Sequence, residues 1–298
     1  MIRHDFVTLQ LFAAVAECGN IAQASALHNI AASAVSKRIA DLEYAMGVPL
    51  FYRQHRGVSL TPAGESLLRH AQAITQLAER MSADMSEFAT GTRGHVRIAA
   101  NISALAQFLP DDLAGFNQNN PDVRIELREE NSGSVLALVR DGLVDIGIFN
   151  GTVPADDLEV LSYRSDQLVV IVPCGHELEG LSEIEFARVL DYDLVELQTG
   201  SSLQELFRAK AAELGRSRRV RVEAMSFDSI RRLVRAGLGI AILPDGAAYP
   251  YADASQLSVI RMSDAWAARE IKIAVREMLA LPKVVRIFIE YLRNSKPV

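Results

Sequence analysis

Residues 20–64 read NIAQASALHNIAASAVSKRIADLEYAMGVPLFYRQHRGVSLTPAG. Two short helical patterns meet at a tight break, and a basic, hairpin-like segment follows. Asn20 is a good N-cap for a helix over Ile21–Leu27, which is alanine-rich so that another helix can pack close against it. His28-Asn29-Ile30 supplies the turn, and the next helix is predicted from Ala31 or Ala32 to Gly47. On its wheel Val35, Ile39, Leu42 and Met46 share one side, while Ser33, Ser36, Lys37 and Ala40 share the other. Val48–Leu60 reads as two short strands around Gln54-His55-Arg56-Gly57, with glycine where positive φ is wanted. This is the layout of a winged helix-turn-helix, which lays its second helix in the DNA major groove.

The placement of basic groups carries that reading, because their number does not. The whole chain has a formal net charge of −6, which argues against nonspecific coating of nucleic acid, and residues 1–60 hold five basic against four acidic side chains. Four of those five, Lys37, Arg38, Arg53 and Arg56, fall in the second helix and the wing. Short hydroxyls at Ser33 and Ser36 let a helix sit deep in a groove, where Lys37 and Arg38 take phosphate or guanine. Arg53 and Arg56 bracket the wing tip and reach the backbone or the minor groove. A solvated helix face is the plainer alternative for the first set, which the helix-turn-helix frame reverses; an ordinary exposed hairpin with solubilising arginines is the alternative for the wing.

Upstream, Leu9, Phe12, Val15 and Ala16 give a helix over Val7–Cys18 an amphipathic core face, and Gly19 stops it. Downstream, Thr61 as N-cap and Pro62 at the first helical position open a long helix. Along it Leu67, Ala71, Ile74, Ala78, Met81, Met85 and Phe88 alternate by 4 and 3 residues, the 3.5-residue period of a coiled-coil seam. No other segment of Thr61–Phe88 offers that stripe a partner, so self-association is expected. A dimer suits DNA reading, since two-fold related helices read two half-sites.

The small-residue run Thr90-Gly91-Thr92-Arg93-Gly94 marks the clearest domain boundary. Beyond it strand and helix alternate. HVRIAA, VRIELRE, VDIGIF, QLVVIVP, RVEAM and IAILP read as strands; Ala104–Asn117 (broken at Pro110), Ser134–Asp141, SLQELFRAKAAEL and DSIRRLVRAG read as helices, with Lys283–Arg293 closing the chain. Two sets of βαβ units imply parallel sheets with helices on their faces.

At 298 residues the chain holds two or three domains, and 49% hydrophobic with 23% charged residues is the balance of an ordinary globular protein. The N-terminus lacks a signal-peptide pattern, and no apolar run approaches the about 20 residues a membrane helix needs, so no membrane partner is expected. Two distant cysteines, Cys18 and Cys174, make a disulfide framework improbable and a reducing cytoplasm the expected setting. The six histidines are scattered without metal-ligand spacing and no nucleophile elbow occurs, so no metal, cofactor or catalytic residue is expected. Gly237 and Gly239 form only a GxG, short of a dinucleotide fingerprint, and Arg216, Arg218, Arg219 and Arg221 read as a solvated edge.

Over essentially its full length the chain resembles LysR-type transcriptional regulators. The N-terminal resemblance rests on Phe12, Val15, Glu17, Gly19, Ala24, Leu27, Ser33-Ala34-Val35-Ser36, Ile39, Leu42-Glu43, Gly47 through Phe51, Arg53, Leu60-Thr61 and Ala63-Gly64. The C-terminal half matches more loosely, at Leu109-Pro110, Gly142, Asp145, Val172-Pro173, Gly175-His176 and LVRAGLGIAILP, and also resembles a type 2 periplasmic binding protein. Ala32 stands where the family has a base-reading Gln, Ser25 replaces the second alanine of a usual pair, and Asn20-Ile21 replaces a Ser-Phe-like entry. The resemblance implies a multidomain chain: a winged helix-turn-helix over 1–60, a linker helix over 61–90, and an α/β effector domain over 91–298 of two Rossmann-like lobes. Lobe I would cover about 91–163 with 269–298, and lobe II about 164–268.

It further implies a double-stranded DNA operator, a homodimer or homotetramer, and an effector held at helix N-termini facing the interlobe cleft. Asn101 and Ser103 after the first strand, Ser132 after the second, and Thr199-Gly200-Ser201-Ser202 before the second lobe's helix fit that arrangement, because free N–H groups and the dipole favour an anion there. Ser226 would add a hydrogen bond and Phe227 an apolar wall. Plain N-capping explains each hydroxyl singly; their convergence favours a site for a compact carboxylate or similar polar metabolite. Competing readings are a solute-binding protein with an N-terminal extension, a thiol-sensing regulator using Cys174, and an enzyme on the two lobes. The first conflicts with the missing secretion signal, the second with the lack of a nearby resolving cysteine, and the third with the missing catalytic constellations.

Overall fold

The structure, a computed structural model, describes residues 5–54, 57–90 and 94–295. The chain divides into two compact units, one of residues up to Gly94 with Asp141–Leu143 and one of His95–Arg140 with the residues from Val144 onward. Each is described by itself.

In the first unit, α1 (Phe6–Cys18) starts at Asp5, whose carboxylate accepts the Thr8 N–H at 2.7 Å, and stops at the left-handed Gly19. Helix α2 (Ile21–Leu27) is capped by Asn20 Oδ1, which accepts from the Ala22 N–H at 2.7 Å. Helix α3 (Ala32–Met46) ends at Gly47 in the αL region. Phe12, Val15, Ala24, Val35, Ile39 and Leu42 bury the facing sides of all three, and the Ala24 position is fully enclosed. Strands β1 (Phe51–Gln54) and β2 (Gly57–Leu60) pair antiparallel, with Phe51 opposite Leu60. Phe51 packs its ring 5.2 Å from that of Phe12.

The wing is tied down from both sides. Glu43 Oε1 accepts from the Leu50 and Phe51 N–H groups at 2.8 and 3.1 Å. The Val58 N–H donates to Gly19 O at 2.8 Å. Gly57 has φ +119, and a Cβ there would stand 2.3 Å from Gly19 O, so glycine is demanded by close approach as well as by conformation.

Helix α4 (Pro62–Thr90) is N-capped by Thr61, whose hydroxyl accepts the Gly64 N–H at 3.0 Å. Its first turns correct the expectation of an uninterrupted self-association seam. Ala71 is fully buried and Leu67 is packed in the same core as α1, so the partner of these two positions lies within the chain. Farther along, Ile74 and Met81 are 46% and 62% exposed. Ala78 is half-buried, and the side chains of Met85 and Phe88 lie outside the described residues.

The second unit opens with β3 (His95–Ala100), α5 (Ile102–Gln107), α6 (Leu109–Asn119), β4 (Arg124–Glu129), α7 (Ser132–Arg140) and β5 (Ile146–Asn150). Strand β6 (Glu159–Pro173) is 15 residues long and leads to β7 (Glu183–Ile184), α8 (Phe186–Val189), β8 (Asp193–Leu197), α9 (Ser202–Glu213), β9 (Arg219–Ala224) and α10 (Phe227–Arg235). Then come β10 (Ala241–Pro244), α11 (Asp245–Ala248), α12 (Ala252–Ser255), β11 (Leu257–Met262), β12 (Ala268–Val275) and α13 (Lys283–Asn294).

The sheets are mixed, which corrects the expectation of parallel ones. Strand β3 pairs parallel with β4 and β5, and β8 with β9, but β12 runs antiparallel to β5 and β6, and β10 and β11 antiparallel to β6. Strand β6 serves two regions: Glu159–Gln167 pairs with β12, and Leu168–Pro173 pairs with β10 and β11. Two cores sit on either side of that change of partner. One joins Val96, Ile98, Phe116, Ile146 and Ile148 to Phe288 and Leu292 of α13. The other joins Leu168–Val172 to Phe186, Leu203, Phe207, Phe227 and Ile230. These are two α/β lobes linked through β6 and β12.

Candidate functional site

Two surfaces gather the residues singled out from sequence. On α3 the buried positions Val35, Ile39 and Leu42 define the inner side, and the outer side runs Ser33, Lys37, Ala40, Tyr44. Ser33 and Lys37 are exposed and Ser36 is half-buried at the margin. Tyr44 is 90% exposed and lies on the same stripe; sequence reading passed it over because a helix-period argument looks for small and basic groups near the N-terminus. Arg38 stands differently. Its Nη1 donates to Asp5 Oδ2 at 2.8 Å and to Thr8 Oγ1 at 2.9 Å, bracing α3 against the first turn of α1. The Thr8 N–H donated to Asp5 and the Arg38 guanidinium together hold that carboxyl below its ordinary range. Asp5, Thr8, Lys37, Arg38 and Asp41 line a groove of about 430 Å³ beside the helix. The Arg53 backbone lies in β1 with its side chain outside the described residues, as is all of Arg56.

In the second unit the predicted cleft residues separate into groups. Asn101 caps α5 by accepting the Ala104 N–H at 2.9 Å, and its Nδ2 donates to Ser132 Oγ at 3.2 Å. Ser132 Oγ also accepts the Asn150 N–H at 3.1 Å and donates to Ser202 Oγ at 3.4 Å. A line of polar groups therefore crosses from one lobe to the other at Asn101, Ser132 and Ser202. Ser103 is buried behind it, with its carbonyl accepting from Gln107 Nε2 at 3.0 Å. Ser201 caps α9 through the Gln204 N–H at 3.2 Å, and exposed Thr199 turns to Glu223 of β9 at 3.4 Å. Gly200, at φ +94, has open space around it.

Ser226 caps α10 by accepting the Ser229 N–H at 3.2 Å, and with Phe227 it lines a cavity of about 460 Å³ between the lobes. Lobe I contributes Ile102, Leu105, Ala106, Gln107, Pro110, Asp111 and Glu129; lobe II contributes Ser226, Phe227, Asp228, Arg231, Ala247 and Tyr251. Arg231 is buried, donates to Ala247 O at 2.7 Å and stacks 3.9 Å from the Tyr251 ring centroid. Gln107 spans the lobes at the cavity's inner end. Its Nε2 donates to Asp166 Oδ2 at 2.8 Å, and its Oε1 accepts the Gly246 N–H at 3.1 Å. None of Gln107, Arg231 and Tyr251 carries a sequence signal, because their meeting depends on how β6, α10 and α11 pack.

Other groups organise structure. Asp145 accepts from the Arg97 backbone and guanidinium, fixing β3 against the start of β5. Arg216, Arg218, Arg219 and Arg221, read as a solvated edge, pair with Asp191, Glu196 and Asp193. Cys174 is exposed and Cys18 half-buried; both are free thiols. Among the described residues no His, Cys, Asp and Glu group is arranged to hold a metal ion, and no helix is long and apolar enough to cross a membrane.

Comparison with known proteins matches both parts of the chain to family models. The family model described as "Bacterial regulatory helix-turn-helix protein, lysR family" matches residues 6–65, and "LysR substrate binding domain" matches residues 89–296. The chain is 32% identical over 247 residues to a probable HTH-type transcriptional regulator, LrrA, of Synechococcus elongatus, covering 83% of each. It is 28% identical over 239 residues to the transcriptional dual regulator GltC of Bacillus subtilis, covering 80% of this chain and 79% of that one. Among solved structures, that of CbnR, a LysR family transcriptional regulator, superposes with a TM-score of 0.73 at 21% identity, covering 97% of this chain and 98% of that one. CbnR complexed with its target DNA gives the same score.

Proposed function

Because this chain belongs to the LysR family and is a DNA-binding transcriptional regulator controlled by a small-molecule effector, we propose a division of labour among its segments. Residues 1–60 bind operator DNA, 61–90 dimerise, and 91–298 bind the effector, with lobe I over about 91–163 and 269–298 and lobe II over about 164–268. Helix α3 enters the major groove, with Ser33, Ser36 and Lys37 on bases or phosphates and Tyr44 reaching the backbone. Arg38 contributes chiefly by bracing α3, and Arg53 and Arg56 carry the wing. Pairing of copies runs through α4 beyond Ala71, by way of Ile74, Ala78, Met81, Met85 and Phe88. A dimer, or a tetramer of two dimers, then presents two or more weakly charged reading heads at once. The effector occupies the space between the lobes, where Ser226 and Phe227 line the cavity and Asn101, Ser103, Ser132, Thr199, Gly200, Ser201 and Ser202 are the other candidate contacts, and it shifts the equilibrium between lobe arrangements. The protein acts in the cytoplasm by binding, and no catalytic step is assigned to it.

The observation that carries this reading is the exposed Ser33–Lys37–Tyr44 side of a helix whose opposite side is the core of the domain. Fluorescence anisotropy with duplex DNA from upstream of the protein's own coding region tests it. Wild type should bind with sequence preference and steep salt dependence, and Lys37→Ala should weaken binding and reduce the log–log salt slope by about 1. Salt-insensitive binding, or a Lys37→Ala variant that binds like wild type, refutes the assignment.

A further inference from the structure

The charges around the interlobe cavity narrow the kind of molecule it accepts. Arg231 is the one cationic side chain among the described lining residues, and two of its donors face groups of its own lobe. One bonds Ala247 O, another lies 3.5 Å from Asp228, and the guanidinium plane covers Tyr251. Asp228 is likewise committed, to Arg232 at 2.9 Å as well as to Arg231. Asp111, in the first turn of α6, and Glu129, at the end of β4, are both exposed and have no ion-pair partner among the described residues. Ile102, Leu105, Ala106, Pro110, Phe227 and Ala247 supply apolar wall, and Gln107 and Ser226 add neutral polar groups. A carboxylate ligand in this space meets two carboxylates without an ion-pair partner among the described residues, and one guanidinium whose charge is shared with Asp228. An ammonium or guanidinium ligand meets favourable charge at the mouth and apolar surface behind it.

We infer that the effector of this protein is an organic cation, an amine or guanidinium with a short apolar body, and not the compact carboxylate that the hydroxyl-rich loops suggest. This rests on the reading of the interlobe cleft as the effector site. The two are separable by experiment.

Ala106 is exposed and lines the cavity, so Ala106→Cys places a reporter thiol in it, and exposed Cys174 serves as an internal reference. Full-length protein is treated with a trimethylammonium-bearing or a sulfonate-bearing methanethiosulfonate of matched size, and modification at each cysteine is followed by mass spectrometry. The ratio of the two rates cancels differences in thiolate fraction. At the position-106 thiol it should favour the cationic reagent by about tenfold over the ratio at Cys174, as expected of two nearby screened charges. Asp111→Asn with Glu129→Gln should return it to the reference value. An equal or inverted ratio overturns the inference.

A second arm measures thermal shift with agmatine and phenethylamine against succinate and 3-phenylpropanoate. Stabilisation by a cation that is lost in Asp111→Asn/Glu129→Gln supports the inference, and absence of stabilisation by either cation overturns it. Ala106→Trp, which fills the cavity, separates the two readings. Carboxylate stabilisation abolished by Ala106→Trp refutes the cationic class and leaves the cleft in place. Cation stabilisation that survives Ala106→Trp moves the effector out of this cavity, and both the inference and the cleft assignment fall.

Discussion

Lys37 and Arg38 are neighbours in sequence with opposite situations. Among the described residues Lys37 has no acid within ion-pair distance and projects from the outer side of α3, whereas Arg38 is held by Asp5 and Thr8. The two substitutions should therefore diverge. Lys37→Ala is expected to leave thermal stability unchanged while lowering DNA affinity. Arg38→Ala should cost up to about 1 kcal/mol of stability, since the pair is substantially exposed. Urea titrations alongside anisotropy check this; equal stability losses in both variants would contradict it. A second residue-scale effect concerns His95, whose Nε2 is 3.6 Å from Glu126 Oε2 and makes no hydrogen bond. Burial pushes its imidazole below the ordinary histidine value, outweighing the pull of Glu126. The unfolded chain then takes up the proton first as pH falls, so stability is full above about pH 6.5 and declines below it. His95→Gln should flatten melting temperature between pH 7 and 5.5 relative to wild type, and parallel profiles would exclude the effect.

At the scale of elements, α4 changes character along its length. Its N-terminal turns pack into the helix-turn-helix core through Leu67 and Ala71, and beyond Ala71 it exposes Ile74, Leu77 and Met81, the positions proposed to pair copies. Ile74→Glu with Met81→Glu is expected to yield a folded monomer by analytical ultracentrifugation, with DNA affinity reduced by about 100-fold or more through lost avidity. A dimer that persists would place the interface elsewhere. Ala71→Leu should instead destabilise the domain by about 1–3 kcal/mol through overpacking. The same helix shows what a sequence discloses. A 3.5-residue period announces a stripe, but whether α1 or another copy covers it depends on where the chain folds back. Capping residues made the helix-turn-helix legible, since Asn20, Gly19, Gly47 and Thr61 act locally. Strand direction was not legible. The first part of β6, Glu159–Asp166, reads EVLSYRSD and carries no continuous apolar run, and nothing local tells β12 to return antiparallel. The hydroxyls of the cleft were readable as caps, whereas the charges that select a ligand come from α6, β4 and α10, far apart in sequence.

For the effector-binding unit as a whole, the decisive feature is the point where β6 changes partners. There Asp166 on β6 and Arg269 on β12 sit in register and form a two-pronged ion pair at 2.8 and 2.5 Å, with side chains 0% and 1% exposed. Gln107 adds a third bond to Asp166 and carries the link to Gly246 in lobe II. Strands β6 and β12 both run through this point, so we expect a change in the angle between the lobes to turn about the pair as its axis and to give first at the Gln107 link. A buried pair of this kind is costly to break from one side, because the surviving charge has no water to turn to, and Arg269 Nη1 already lacks a partner. Asp166→Leu should therefore destabilise this unit by about 3–5 kcal/mol, and Arg269→Met by a similar amount. The double variant Asp166→Leu/Arg269→Met should recover most of the loss, since an apolar pair of similar volume removes both desolvation penalties. Gln107→Met, which leaves the ion pair intact, should lower stability far less yet change ligand affinity, because it loosens the lobes without unseating the axis. Calorimetric unfolding of wild type, the two single variants at 166 and 269 and their double gives the coupling energy directly. Additive losses in the double variant would show that Asp166 and Arg269 act on stability independently, and the strands would then have to be held in register by their ladders alone.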